Sequence, residues 1–313
     1  MAKINRRFAS LVRLVAAVAV IGVALPGAAR TNARESQVLS PPVLVAAGDV
    51  ASCAWDRDEA TAAVIASQPG YVAMLGDAVY PAGSLDAFSR CYDPSWGRFK
   101  NRTFPAPGNH DYEVSETTPS SPYFLYFGPR AGAVRRGYYA YRLGTWKIIV
   151  LNDNCADIGG CGRGSPEDHW LRRKLRASAA FCTLAYWHKP RFTGGLEGSD
   201  AATLRFWRDL YAAGADVILN GHAHSYERFA PQTPAGRADH RFGIREFVVG
   251  TGGAPLHPFS RRAPNTQIQD NTTWGVLRLD LGRASYRWRF LAAAGGTLND
   301  SGRAACHGRP RVG

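Results

Sequence analysis

Residues 215–228 read Ala-Asp-Val-Ile-Leu-Asn-Gly-His-Ala-His-Ser-Tyr-Glu-Arg. The apolar run at 215–219 predicts a short buried strand. It leaves through Gly221 into His222 and His224. Two imidazoles spaced i and i+2 beyond a strand end lean toward one spot, and imidazole is a common metal ligand. One such pair is weak evidence alone; partners at other strand ends would make it a site.

Partners recur upstream. Apolar runs predict strands at 43–47, 71–75 and 183–187, with a short extended piece at 103–106. The first runs into Gly48-Asp49, the second into Gly76-Asp77-Ala78-Val79-Tyr80, and the extended piece into Pro107-Gly108-Asn109-His110-Asp111. The fourth ends in Trp187-His188-Lys189-Pro190. Helices are predicted at 58–67, 84–92 and 200–213, the last closed by Gly214, with another opening at Ser165 as N-cap and Pro166 at the first helical position. A hairpin is predicted over 138–151, and the end of the chain is strand-rich at 244–249, 274–281 and 284–291. Strands alternating with helices, then a strand-dominated tail, predict a sheet-centred α/β fold, α+β in some schemes. In such sheets ligands bind beyond the carboxyl ends of the strands.

Gly-Asp or Gly-Asn after a strand is usually a turn, and a lone Tyr or His is usually packed rather than ligating. The recurrence is what distinguishes this chain. Five strand exits offer Asp49, Asp77, Tyr80, Asn109, His188, His222 and His224, and in four of them glycine precedes the polar residue. These donors suit iron, zinc or manganese. They are too many for one ion and fit two ions that share a carboxylate. Two-metal sites clamp the attacking and leaving oxygens of a phosphoryl displacement.

The full chain has 313 residues, 45% hydrophobic and 20% charged, a globular composition with material for a large core. Residues 1–29 place Lys3, Arg6, Arg7 and Arg13 before an apolar run at 14–25, followed by small residues. This predicts a secretory signal peptide rather than an anchor, because the run is short for a bilayer. Residues 30–41 read as a flexible leader, and residues 42–313 as one catalytic domain. The destination is secreted, periplasmic or cell-surface, with no stable membrane span after cleavage. The formal net charge of +13, of which residues 1–29 carry four positive charges, reads either as an attraction for anionic substrates or surfaces or as a consequence of an Ala-, Arg- and Gly-rich composition. No basic block is interleaved with aromatics, so no nucleic-acid partner is expected. Six cysteines in the exported part predict disulfides. Of the possible pairings we favour Cys53–Cys91, Cys155–Cys161 across a short Gly-rich loop, and Cys182–Cys306 tethering the tail.

On these residues the sequence resembles the calcineurin-like metallophosphoesterases, and within them the purple acid phosphatases. The phrases Tyr186-Trp187-His188-Lys189-Pro190 and Gly221-His222-Ala223-His224-Ser225-Tyr226-Glu227-Arg228 carry most of the likeness. The resemblance implies a sandwich of two central β-sheets flanked by helices, with the site at the C-terminal ends of the strands. It implies that Asp49, Asp77, Tyr80 and His224 hold a first metal, that Asp77 bridges, and that Asn109, His188 and His222 complete a second. Tyr80 implies iron(III) at the first position, with iron(II), zinc or manganese at the second. His110 would act as general acid toward the leaving group. The implied activity is hydrolysis of small phosphate monoesters by a metal-bound hydroxide. A phosphodiesterase on the same fold is the alternative, and a non-catalytic metal-binding exported protein a further one. The sequence departs from the family at Ala51, where glycine is usual, and at Lys189, where some relatives place a second histidine. Lys189 and Arg228 read equally as phosphate contacts or as surface charges, and the histidines at 169, 240, 257 and 307 carry no expected role.

Overall fold

The computed structural model describes residues 40–113 and 121–308. The expected signal sequence, and the leader up to residue 39, lie outside the described residues. Thirteen strands in the described residues form two mixed sheets. The first contains parallel β1 (Val43–Ala47), β2 (Tyr71–Leu75) and β3 (Thr103–Ala106), continued on the β1 side by an antiparallel meander of β11 (Gly275–Leu281), β12 (Ser285–Ala292) and β13 (Ser301–Ala305). The second has parallel β5 (Trp146–Val150), β6 (Thr183–Tyr186), β7 (Val217–Asn220) and β9 (Arg245–Val249) at its centre. Antiparallel β4 (Tyr139–Leu143) closes one edge of it, and β8 (Tyr226–Phe229) with β10 (Thr266–Asp270) the other. Helices α1 (Arg57–Ala66), α2 (Leu85–Ala87), α3 (Pro122–Phe127), α4 (Pro166–Arg176) and α5 (Leu204–Ala212) flank the sheets.

The period-2 rule of strands assigns the two faces of the second sheet. Ile148, Val150, Leu184, Tyr186, Val217 and Leu219 join the cluster shared with the first sheet. Their neighbours Ile149, Leu151, Ala185, Trp187 and Ile218 face the other way, onto Leu171 and Leu175 of α4 and Phe206, Trp207 and Leu210 of α5. Both faces are covered, so these strands are apolar throughout, as central parallel strands must be. Helix α4 starts where the sequence predicts: Ser165 Oγ accepts the Asp168 amide, Pro166 follows, and acids in the first turn and bases in the last match the helix dipole. Arg205 Nε donates to Asp168 Oδ1 at 2.6 Å and ties α5 to it.

The predicted helix at 200–213 begins later, at Leu204. Asp200 Oδ1 accepts the Ala202 amide and the Thr203 hydroxyl donates to the Asp200 carbonyl, so residues 200–203 form a turn instead. The stretch at 84–92 is a single α-turn that widens into a π-helical turn over Phe88–Tyr92. Three strands went unpredicted, β8, β10 and β13. The disulfides are Cys53–Cys91, Cys155–Cys161 and Cys182–Cys306, the favoured pairing. Among the described residues no helix is long and apolar enough to cross a membrane.

Asp216 fastens the last disulfide region. Its Oδ2 accepts the Thr183 amide and its Oδ1 the His307 amide, both at 2.9 Å. Burial raises its carboxyl from 3.8 to about 6 against those hydrogen bonds. Between these values the folded chain keeps a proton that the unfolded chain has released, so this group's contribution to stability falls as pH rises through that window. The loss is about 3 kcal/mol at most. Asp216→Asn should flatten the slope of unfolding free energy between pH 4 and 6, read by urea melts; an unchanged slope would contradict the assignment.

Candidate metal centre

The predicted donors meet where the two sheets touch. Strands β1, β2 and β3 of the first sheet and β6 and β7 of the second all deliver their C-terminal ends to one rim. The chain past β1 and β2 continues paired: Asp49 N donates to Gly76 O, Val50 N to Asp77 O, and Tyr80 N to Ala51 O. That ladder turns Tyr80 back over the two aspartates. Ala51 serves it through its backbone, so a methyl group in place of the usual glycine is accommodated. Across the rim, Gly48 N donates to Val249 O and His188 Nδ1 lies 2.8 Å from Leu75 O, which joins the sheets.

Two groups of side chains result. Tyr80 Oη lies 3.0 Å from Asp49 Oδ1, 3.0 Å from Asp77 Oδ2 and 3.1 Å from His224 Nε2. His188 Nε2 lies 3.2 Å from Asp77 Oδ2 and 3.2 Å from His222 Nδ1. One oxygen, Asp77 Oδ2, therefore belongs to both groups. Asn109 follows β3, and its Oδ1 is buried without a hydrogen-bond partner among the described residues. His110 sits on the open side: its ring packs against Tyr80 at 4.6 Å, and its Nε2 is 3.9 Å from Asp77 Oδ2.

The backbone is held in unusual conformations to do this. Asp49, Asp77 and His222 all have positive φ, at 60°, 51° and 67°. Each costs on the order of 1–3 kcal/mol and persists only where the surroundings enforce it. Two glycines are required by contact. A Cβ on Gly76, itself at φ 90°, would overlap the His188 ring, and one on Gly108 would overlap the Asp77 carboxylate. The ring nitrogens that face away from the donors are fixed by carbonyls, His188 Nδ1 by Leu75 and His224 Nδ1 by Pro255 at 2.8 Å. Such contacts settle which nitrogen faces a metal.

The electrostatics ask for a cation. Asp49 and Asp77 are buried to within 1% of exposure, yet among the described residues their ion pairs run only to histidines. Burial would raise the Asp77 carboxyl, but His188 and His110 outweigh it and hold it below the ordinary carboxylate range. Burial would lower His188, but Asp77 overrides that and raises it to about 10. Burial and the His188 charge push His222 down to about 3. Burial and the two carboxylates hold the Tyr80 phenol well above its usual value. Bound cations reverse this logic by stabilising carboxylate, phenolate and neutral imidazole together. The second possible cluster, Cys182 with Asp216 and Cys306, is a disulfide beside a carboxylate and holds no such donor set.

The model of the calcineurin-like phosphoesterase family matches residues 42–226, which span β1 to the start of β8 and include every predicted donor. The chain belongs to this family.

Within the calcineurin-like phosphoesterases, the chain is 24% identical over 233 residues to purple acid phosphatase 15 of Arabidopsis thaliana, covering 64% of this chain and 43% of that protein. It thus spans less than half the length of this curated relative. The fold matches purple acid phosphatase PPD1 from yellow lupin (Lupinus luteus) seeds, with TM-score 0.64, 16% identity, and 85% and 54% of the two chains covered. It also matches GAP50, the anchor in the inner membrane complex of Plasmodium, with TM-score 0.62, 10% identity, and 86% and 90% coverage.

Around the donors, this member of the family places further residues, of which Asp111, Asp153 and Glu113 were not singled out in the sequence. Asp111 is buried beneath the β2 and β3 exits and accepts the Asp77, Ala78 and Gly108 amides. Burial and the Asp77 charge raise its carboxyl to about 7 against those bonds. Asp153, beyond β5, accepts the Lys189 amide at 2.6 Å and supports the loop after His188. Glu113 pairs with His110 Nδ1 at 2.9 Å. Arg228 pairs with Asp300 at 2.8 and 3.0 Å, which favours the structural reading of its charge. His257, expected to have no role, stacks on His224.

Proposed function

We propose that this chain is an exported dinuclear-metal phosphatase that hydrolyses small phosphate monoesters. The single observation that supports it most is Asp77 Oδ2, shared between the Tyr80 group and the His188 group. A carboxylate oxygen placed between two donor sets fits a bridge between two ions, and the unpartnered Asn109 Oδ1 fits a ligand of the second. On this reading Asp49, Asp77, Tyr80 and His224 hold iron(III), and Asp77, Asn109, His188 and His222 hold iron(II), zinc or manganese. A phenolate and two carboxylates on one side favour the harder, more charged ion there. When bound, such a pair supplies Lewis acidity and a nucleophile at moderate pH by lowering the pKa of water.

The chain's own residues do the rest. His188 and His224 are held in one orientation by carbonyls, so the donors are preorganised. His110 has its Nδ1 occupied by Pro81 O at 2.7 Å and Glu113, which leaves Nε2 facing the centre. From there it delivers a proton to the departing alkoxide. The likeness to purple acid phosphatase 15 supports the monoester side of the reading, and three disulfides support an oxidising destination. Residues 42–313 are proposed to act as one catalytic domain after removal of residues 1–29.

Metal-loaded protein assayed on matched monoesters and diesters should show higher kcat/KM on monoesters. A preference for diesters would move the assignment to a phosphodiesterase. Two retained metals with no turnover on any phosphate ester would support the non-catalytic reading.

A further inference from the structure

A separate wall stands beside the donor loop. Residues 193–197 and 255–260 are zipped together: Gly195 and Phe259 form an antiparallel bridge, and the Ser260 amide and hydroxyl donate to Gly194 O at 2.9 and 3.1 Å. Buried Glu227 secures the same turn by accepting from the Thr193 hydroxyl and the Gly194 amide. The wall rests on the loop after β7 that carries His222 and His224. His257 N donates to His224 O at 2.9 Å, and a Cβ on Gly195 would lie 3.0 Å from the Ala223 methyl.

This wall carries a second carboxylate–imidazole pair. The His257 ring lies over the His224 ring, centroids 4.2 Å apart and planes 23° from parallel. Its Nδ1 is 2.5 Å from Glu197 Oε1. The His257 side chain is 39% exposed, and its Nε2 has no partner among the described residues. A histidine kept only for packing has no need of an exposed edge and a dedicated carboxylate. Around the centre the rings form an arc, His110 on Tyr80, Tyr80 edge-on to His224, and His224 under His257. His110 and His257 thus stand at the two ends of this arc.

We propose that His257 is a substrate-contact residue whose Nε2 hydrogen-bonds a non-bridging phosphoryl oxygen, with Glu197 as the positioning residue that fixes its ring. The inference rests on the phosphate-ester reading and assigns the two ends of the arc to different parts of the ester. The leaving group lies toward His110, and the oxygens that stay on phosphorus lie toward His257. The contact forms in either protonation state, because an imidazolium Nε2–H donates to a phosphoryl oxygen and a neutral Nε2 accepts from a P–OH group.

The test uses the metal-loaded full chain and inorganic phosphate as probe, with three readouts: metals per chain, phosphate affinity by equilibrium dialysis, and kcat and KM on one monoester. His257→Ala should keep both metals, weaken phosphate by about tenfold and raise KM by a similar factor, with kcat changing far less. His257→Gln should recover part of the affinity, and Glu197→Gln should show a smaller loss in the same direction. Unchanged phosphate affinity in His257→Ala would overturn the inference. So would loss of metal, because His257 would then be a prop for His224. If His257→Ala does not fold, unchanged affinity in Glu197→Gln overturns it. Wild-type protein that binds phosphate through His257 but turns over no ester would keep this inference and sink the proposed function. Turnover with phosphate binding insensitive to His257 would do the reverse.

Discussion

Asp77→Ala should reduce the metal content from two ions per chain to one or none and lower turnover by at least about 10³-fold, more than loss of a single transition-state donor usually costs. The size follows from three jobs on one side chain. Its Oδ2 lies between Tyr80 Oη and His188 Nε2, so both halves of the centre lose a donor together. Its Oδ1 accepts the His110 amide at 2.9 Å, so the loop that carries Asn109 and His110 is also released. Its charge, more than those of Asp49 and Asp153, raises the buried His188 imidazole against the effect of burial. Asp77→Asn separates these jobs, because an amide keeps the shape and an acceptor for the His110 amide but lacks the charge. It should lose metal nearly as fully as Asp77→Ala while melting closer to wild type. Elemental analysis and thermal unfolding of the two variants check this; full metal content in either would remove Asp77 from the bridging role.

His110→Ala should lower kcat on alkyl phosphates by about 10²–10⁴-fold, the usual worth of a positioned general acid. A nitrophenolate leaves without needing a proton, so the same variant should retain most of its rate on nitrophenyl phosphate. The geometry makes this a specific expectation. His110 is half-buried, its Nδ1 is taken by Pro81 O and Glu113, and its remaining nitrogen is 3.9 Å from Asp77 Oδ2. That distance is too long for a hydrogen bond, so His110 is free to serve a substrate atom. Equal losses on both esters would show that His110 shapes the site and does not move a proton.

The strand exits were legible because three local signals coincide in them: a short apolar run, a glycine, and a polar residue of metal-ligating type. Gly76 shows why they coincide. A side chain there would collide with His188, over a hundred residues away, and the local sequence already carries the solution as Gly-Asp. The β5 exit lacks the glycine signal, and Asp153 acts by accepting the Lys189 amide, so nothing in its own neighbourhood marks it. Strands β10 and β13 were missed because Thr-Gln-Ile-Gln-Asp and Ser-Gly-Arg-Ala-Ala hold little apolar alternation; they are edge strands, built mainly on backbone pairing. β8 was hidden by its position directly after the two histidines. His257 stands alone in a loop with prolines at 255 and 258, and its stacking on His224 is a tertiary fact with no local signature.

The most direct test of the central assignment is the visible absorption spectrum of the native protein, taken with metal analysis and repeated on Tyr80→Phe. A ligand-to-metal charge-transfer band in wild type, two metals per chain including iron, and loss of that band in Tyr80→Phe are the predicted results. A colourless protein carrying two divalent ions, with the same metal content in Tyr80→Phe, would contradict the iron(III)–Tyr80 assignment.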